Sequence, residues 1–294
     1  MTFYGTGIES DVTFSRDFSR ETEKRYDVRL SSGIPAAFKE SVMCSTTLFR
    51  SHGRKIDLGT DRAFEGNGSG QLWSYHVRDV ARFCWFGGER TIYCEFDAEG
   101  NDESLTFWFV HQMLPFYLTM EGMYDFIHAA AVEVAGRPIF FIAPSMGGKS
   151  TLTDCFIKKG HLLVSDDKVP TFVQDGKFMA VPSHAYHRPS RTFEEFGSES
   201  ERTGTSIKPI HAIYILDRSE GDAPTDIEEI KGFEKFDVLT GSHLYSFPRF
   251  KPGRLKYLGK MLNEIRVFRV KRPWDMSRLD ETCQAICLHS RELS

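Results

Sequence analysis

The sequence predicts an α/β protein, α+β over the whole chain, and three observations carry that prediction. Short segments rich in β-branched and aromatic residues fill the first hundred positions. From Ala129 onward, apolar strand-like runs alternate with helical ones. Forty per cent apolar and 27% charged residues over 294 positions are the balance of a globular chain long enough to bury a sizeable core. Lys and Arg number 37 against 41 Asp and Glu, a net charge of −4 that argues against a general nucleic-acid binder.

In the first region, Tyr26–Leu30, Gln71–Val77, Val80–Phe86 and Thr91–Phe96 read as strands, the last two separated by a Gly87-Gly88 turn. Gly53–Gly70 holds five glycines, one of them in an Asn67-Gly68 turn signal, and reads as a loop. Asn101 or Asp102 caps a largely apolar segment, Leu105–Met120, expected to be a buried helix kinked or interrupted at Pro115. With His111 and Gln112 inside it, that segment falls short of a membrane span. The 25 phenylalanines predict aromatic packing. A boundary near residue 100 divides a β-rich region, 1–100, from a second domain, 101–294.

In the second region, Ala129–Val134 and Pro138–Ile142 read as strands joined by a Gly136-Arg137 turn. A helix over Thr151–Lys159 stops at Gly160, and Leu162–Val164 is a buried strand. Thr171–Val173 and Phe178–Val181 pair across Asp175-Gly176. His211–Leu216 is a strand, Gly253–Glu264 an amphipathic helix, Arg266–Val270 a strand, and Met276–Leu288 a closing helix. No internal repeat is present. The six cysteines form no CxxC pair and are expected to be reduced and mostly buried; Cys283 and Cys287, one helical turn apart with His289 nearby, lack a clear fourth metal ligand. Met1–Asp11 has neither a basic start nor an apolar run, so a cytoplasmic protein is expected.

The segment that carries chemistry is Ala143-Pro144-Ser145-Met146-Gly147-Gly148-Lys149-Ser150. It follows an apolar strand and opens a helix, the context a phosphate loop requires. Successive main-chain N–H groups and the positive helix end bind phosphate oxygens. Gly147 and Gly148 let the main chain approach closely. Residues Ser145–Thr151 are the expected nucleotide-binding set, with Lys149 on the terminal phosphates and Ser150 on Mg²⁺. A Gly-Lys-Ser triplet alone is common by chance, but an aspartate pair downstream of it adds weight. Asp166 and Asp167 end the next strand, where one carboxylate can hold a metal and the other accept a proton. His128 precedes the strand Ala129–Val134.

The stretch from His128 to Asp167 resembles the catalytic core of HPr kinase/phosphorylase and related serine kinases, which has a His-initiated strand pair, a phosphate loop, a helix ending in a step such as Lys159-Gly160-His161, and an Asp-Asp pair. Tyr4–Asp11 and Val267–Leu279 resemble the opening and closing segments of a subgroup that includes kinases of lasso-peptide precursors. The resemblance implies a P-loop kinase domain of the HPr-kinase type, with ATP and Mg²⁺. It implies Asp166 as general base, His128 as its supporting partner, Lys149 as phosphate ligand, and Ser150 with Asp167 as metal ligands. Ala143 stands where the strict phosphate-loop pattern has glycine, Met146 where the family usually has it, and Thr171–Arg218 has no counterpart of the glycine-rich signature used in phosphorolysis. Phosphorolysis and HPr itself as substrate are therefore not implied.

Two further segments stand out. Val181–Arg191 gathers His184, His187, Arg188 and Arg191 just beyond the Asp pair, candidates for contacts to substrate or phosphate. Arg249–Arg272 carries nine basic residues and one acid; within it, the alternation of Arg266, Arg269 and Lys271 with Val267, Phe268 and Val270 fits an edge strand with one wet face, and the acidic Asp217–Glu229 stretch offsets the charge. The expected partner is a peptide or small protein, most specifically a lasso-type precursor with a terminal serine, with neither membrane nor nucleic acid involved. A homo-oligomer is admitted, though no residue fixes it. A metabolite kinase and a non-catalytic nucleotide-binding module stay open as alternatives.

Overall fold

The computed structural model describes all residues except Ser19, Val42, His52, Ala63, residues 65–68, 189–193, 220–222 and 246–250, Ser294, and the side chains of Lys251 and Pro252. It is a mixed α/β structure with two compact units. One is built on Met1–Met123 with residues 194–196. The other is built on the described parts of 124–191, 197–246 and 250–294. The helical segment after residue 100 thus groups with the N-terminal strands, and the division falls at Met123 instead of the expected position near 100.

The first unit holds β1 (Thr2–Phe3), β2 (Thr6–Ser10), β3 (Tyr26–Ser32), α1 (Ala36–Glu40), β4 (Cys44–Ser51), β5 (Arg54–Thr60), β6 (Leu72–Val77), β7 (Ala81–Phe86) and β8 (Thr91–Phe96). The eight strands form one sheet in the order β1-β2-β3-β8-β7-β6-β5-β4. The loop expected over Gly53–Gly70 is overturned for its first part: β5 occupies it. Gly59 keeps its place in the β5 ladder, opposite Ser45 of β4 and Ser74 of β6. Asn101 caps α2 (Asp102–Trp108), its side chain accepting from Ser104 N at 2.9 Å. A π-helical turn, Phe109–Met113, then leads into α3 (Leu114–Met120). Pro115 has no N–H to give, and the widened turn just before it absorbs the defect, so the interruption precedes the proline. Stacked Trp73 and Trp85 and the rings of Phe83, Phe109 and Phe116 fill the interior, the use expected for so many aromatics.

The second unit starts with β9 (Asp125–Ile127), β10 (Ala130–Val134), β11 (Arg137–Ile142), α4 (Lys149–Lys158) and β12 (Leu162–Ser165). It continues with β13 (Val169–Gln174), β14 (Lys177–Ala180), β15 (Tyr186–His187), β16 (Ser198–Glu199), β17 (Lys208–Pro209), β18 (Ala212–Arg218) and β19 (Asp226–Glu229). It closes with α5 (Gly232–Gly241), α6 (Lys251–Glu264), β20 (Arg266–Arg272) and α7 (Leu279–Glu292). The main sheet runs β12-β10-β11-β18-β20-β19, with β11, β18 and β20 parallel. A second sheet runs β17-β14-β13-β9.

Alternation along β11 decides the layering. Ile139 and Phe141 join the apolar layer under α4 and α7, with Leu152, Phe156, Cys283 and Ile286. Phe140 and Ile142 join the opposite layer, with Leu239 of α5 and Leu258 and Met261 of α6. The β10–β11 turn is Ala135-Gly136, both at positive φ (50° and 76°), one residue earlier than the expected Gly136-Arg137. Asp175-Gly176 joins β13 to β14 as expected.

β20 is not an edge strand. The acidic β19 pairs with its outer side, and Arg266–Glu229 (3.2 Å), Lys271–Glu228 (3.1 Å) and Arg269–Asp217 (2.7 Å) neutralise the basic run. No helix of the described residues is long and apolar enough to cross a membrane.

Candidate active site

The loop between β11 and α4 owes its shape to three residues. Met146 adopts φ 62° and Gly148, which starts the helix, φ 79°. At Gly147 a Cβ would stand 2.7 Å from Ala143 Cβ and 2.8 Å from Pro144 O, so the glycine makes room for the alanine that replaces the pattern's first glycine. Gly147 N donates to Pro144 O at 2.9 Å and closes the turn. Gly148 caps α4 without a side chain, which leaves the first-turn N–H groups turned toward the loop for an anion.

Lys149 and Ser150 are the first residues of α4. Lys149 is only 5% exposed; its ammonium donates to Ala143 O at 2.7 Å and lies 3.2 Å from His128 Nε2. A donor at that distance requires the Nε2 lone pair, which places the imidazole proton on Nδ1, and Nδ1 lies 3.5 Å from Asp167 Oδ1. The expected pairing of His128 with Asp166 is therefore corrected: His128 bridges Lys149 and Asp167.

Asp166 is buried at the end of β12. Its Oδ1 accepts from Ser150 Oγ at 3.2 Å and its Oδ2 from the Arg188 main-chain N–H at 2.8 Å. Burial pushes its carboxyl above the ordinary range, opposed by the Arg188 N–H and reinforced by the neighbouring charge of Asp167. Asp167 carries φ 91°, a region L-residues rarely enter, and such conformations cluster where a side chain must be aimed. The structure thus brings His128, Lys149, Ser150, Asp166 and Asp167 together.

The segment beyond the Asp pair behaves differently from its expectation. His187 is buried against α4, Nε2 3.3 Å from Asp154 Oδ1, so its place as a phosphate contact is corrected to a support of the helix flank. Arg188 is also buried and reaches the site through its main chain. Arg191 lies outside the described residues. His184 is buried, and desolvation beside Arg188 pushes its pKa down to about 3, so it is neutral.

Sequence reasoning missed Arg272. Its Nη2 donates to Gly147 O at 3.0 Å and fills the space a Cβ on Gly148 would need. Burial and the nearby Arg218 hold its pKa below the usual arginine range. Arg218 and Arg272 are register partners at the ends of parallel β18 and β20. Arg218 stacks on the Trp274 ring at 3.7 Å, with Arg272 4.9 Å from the same centroid. The available signal was topological: ligands of parallel sheets bind beyond the carboxyl ends of the strands.

For a divalent cation, Ser150 supplies a hydroxyl whose proton already points to Asp166, which leaves its lone pairs for the ion. Hydroxyl and carboxylate oxygens are the hard donors Mg²⁺ takes in ones and twos, with phosphate and water completing its shell. The residues present fit that ion.

This chain is similar to a solved kinase/phosphatase. The HPr(Ser) kinase/phosphatase from Coxiella burnetii aligns over 57% of this chain and 97% of its own, with 14% identity and a TM-score of 0.37. At those values the likeness does not itself establish a shared fold. No family model matches the sequence, and no curated protein matches it.

Proposed function

We propose that this protein is an ATP- and Mg²⁺-dependent kinase that transfers the γ-phosphate to a hydroxyl group. The observation that carries the reading is the cluster at the head of α4: Lys149 and Ser150 adjoin the buried carboxylate of Asp166 and the part-exposed one of Asp167, beside a helix start with no side-chain cap. The loop Ser145–Thr151 cradles the phosphates with main-chain N–H groups, and Lys149 exchanges Ala143 O and His128 Nε2 for phosphate oxygens. Ser150 and Asp167 are the proposed metal donors; a bound Mg²⁺ would supply neutralisation of the phosphates' charge. Asp166 is the base, since a carboxyl raised by burial can take a proton that an ordinary surface aspartate would refuse. Through Lys149 and Asp167, His128 positions both neighbours. Trp274, 48% exposed beside Gly148, offers an aromatic face on the nucleotide's side of the loop.

For the acceptor we propose a serine of a small protein or ribosomally made peptide, most specifically the terminal serine of a lasso-type precursor. This part rests on the sequence resemblance at Tyr4–Asp11 and Val267–Leu279. The test is transfer of labelled phosphate from ATP to such a peptide, read by mass spectrometry. Asp166→Asn is expected to keep nucleotide binding and lose at least about a thousandfold in turnover, while Asp167→Asn loses Mg²⁺-dependent binding. The reverse pattern would exchange the two roles. Wild-type protein that leaves every hydroxyl acceptor unphosphorylated while binding ATP would reduce it to a nucleotide-binding module.

A further inference from the structure

Away from the phosphate loop, on the far part of the α4–α7 layer, three of the six cysteines lie in a chain of contacts that the kinase reading does not use. All six are free thiols, and Cys84, Cys94, Cys155 and Cys283 are buried. Cys155 on α4 has its Sγ 3.4 Å from Asp280 Oδ1. Cys283 and Cys287 stand one turn apart on α7, and Cys287 is part-exposed. The histidine near this pair is His161, just after α4, and not His289, whose Nδ1 contacts Tyr214 Oη at 2.9 Å.

His161 Nδ1 lies 3.0 Å from Glu133 O, a carbonyl that can only accept, so Nδ1 carries the proton and Nε2 is a bare acceptor. Cys287 Sγ lies 3.4 Å from that Nε2. An orienting carbonyl, an imidazole and a thiol in line form an activated-thiol geometry. We propose that Cys287 is a peroxide-reactive thiol, with His161 as its proton acceptor and Cys283 as the thiol that resolves it. Cys283 hydrogen-bonds Cys287, and His161 and Arg291 face it, all three lowering its pKa against the opposing effect of burial, while Cys283 itself is raised by the same bond and by burial.

The chemistry balances. Cys287 gives its proton to His161 Nε2, and the thiolate sulfur attacks one oxygen of a hydroperoxide. The O–O bond breaks, the leaving oxygen takes the proton from the imidazolium, and Cys287 becomes a sulfenic acid. Cys283 sulfur then attacks Cys287 sulfur, the S–O bond breaks, and water departs with the Cys283 proton. Two thiols lose two electrons and the peroxide gains them. Cα atoms four apart on a helix are roughly 6 Å apart, inside the ~4.4–6.8 Å window of a disulfide, but their Cβ atoms, roughly 5–6 Å apart, must close to ~3.5–4.5 Å, so the bond forms only as the last turns of α7 (Leu279–Glu292) unwind. The bond would form in the layer where Cys283 packs with Leu152 and Phe156 of α4.

The experiment uses the full, reduced chain. Limiting iodoacetamide should alkylate Cys287 ahead of the exposed Cys44, and stoichiometric hydrogen peroxide should remove two hydrogens from the single tryptic peptide Leu279–Arg291. Cys283→Ala should instead leave a Cys287 sulfenic acid that dimedone captures. His161→Gln should slow Cys287 alkylation about tenfold at pH 7 and recover at alkaline pH, since a unit of thiol pKa is tenfold in thiolate. Should that variant not fold, the wild-type pH–rate profile decides: a plateau by neutral pH supports the pair. A rate still climbing above pH 8, labelling of Cys44 first, or peroxide treatment without the intrahelical disulfide overturns it.

Discussion

In the N-terminal sheet, buried polar groups pair with one another across strands. Asp57 takes Thr47 Oγ1 and Arg78 Nε, each at 2.8 Å, with Lys55 at 3.3 Å. His76 meets Asp97 at 2.8 Å, and Gln71 donates to Thr60 at 2.6 Å. At the head of α4 the same kinds of residue are held in another way. Lys149 meets a main-chain carbonyl and an imidazole nitrogen, and Asp166 a hydroxyl and a main-chain N–H. Those contacts fix position, and a phosphate oxygen or a cation can take over from them. A buried polar group that serves the fold and one that serves a ligand can thus be told apart by what it touches.

Substitution separates the two cases. Lys149→Ala is expected to lower kcat/KM at least about a thousandfold, the scale of removing a charge aimed at the transferring group, with little change in unfolding temperature. Asp57→Ala should do the reverse, costing about 2–3 kcal/mol in denaturant unfolding because Arg78 and Thr47 lose their acceptor, with nucleotide affinity unchanged. A Lys149→Ala protein that unfolds as easily as Asp57→Ala would erase the distinction.

Asp125 in β9 supplies a third case, a carboxyl away from the loop whose protonation is governed by burial. Burial pushes its pKa up to about 6, and Arg254 only partly opposes the shift. A folded-state pKa raised above the ordinary 3.8 means that the folded protein favours the proton. Its contribution is most favourable below pH 4 and is lost as the pH rises through 6. Asp125→Asn should therefore stabilise the protein by about 3 kcal/mol at pH 7–8 and leave it unchanged near pH 3.5. Chemical denaturation across that range measures it; an equal gain at both ends would remove Asp125 as the cause.

Much of the loop corner was legible because its signals are local. A glycine pair before Lys-Ser, an apolar strand ahead of it and two aspartates ending another strand each act within a few residues. The Asp175-Gly176 hairpin was legible for the same reason. What the sequence concealed depends on partners far along the chain. β5 forms through a glycine-rich stretch because its neighbouring strands supply the hydrogen bonds. β20 looks like an edge until β19 covers it. Arg272 reads as one more cation in a basic run until parallel pairing carries it to Gly147. His187 and Arg188 read as free cations until α4 and Asp166 claim them.

The smallest effect tests the loop's own departure from glycine. Met146 holds φ 62° with its side chain 85% exposed, so no packing offsets the strain of about 1 kcal/mol that a left-handed conformation costs an L-residue. Met146→Gly relieves that strain and loosens the unfolded chain by a comparable amount, so stability should move by less than about 1 kcal/mol. Nucleotide affinity should stay within about threefold, because the phosphates are bound by main-chain N–H groups that glycine presents equally well. Gly147→Ala makes the contrast. Its Cβ would press on Ala143 and Pro144, distort the turn and weaken nucleotide binding well beyond that. Titration with ATP reads both. A large loss in Met146→Gly would mean that the methionine side chain contacts the nucleotide, and that the strain is kept for that contact.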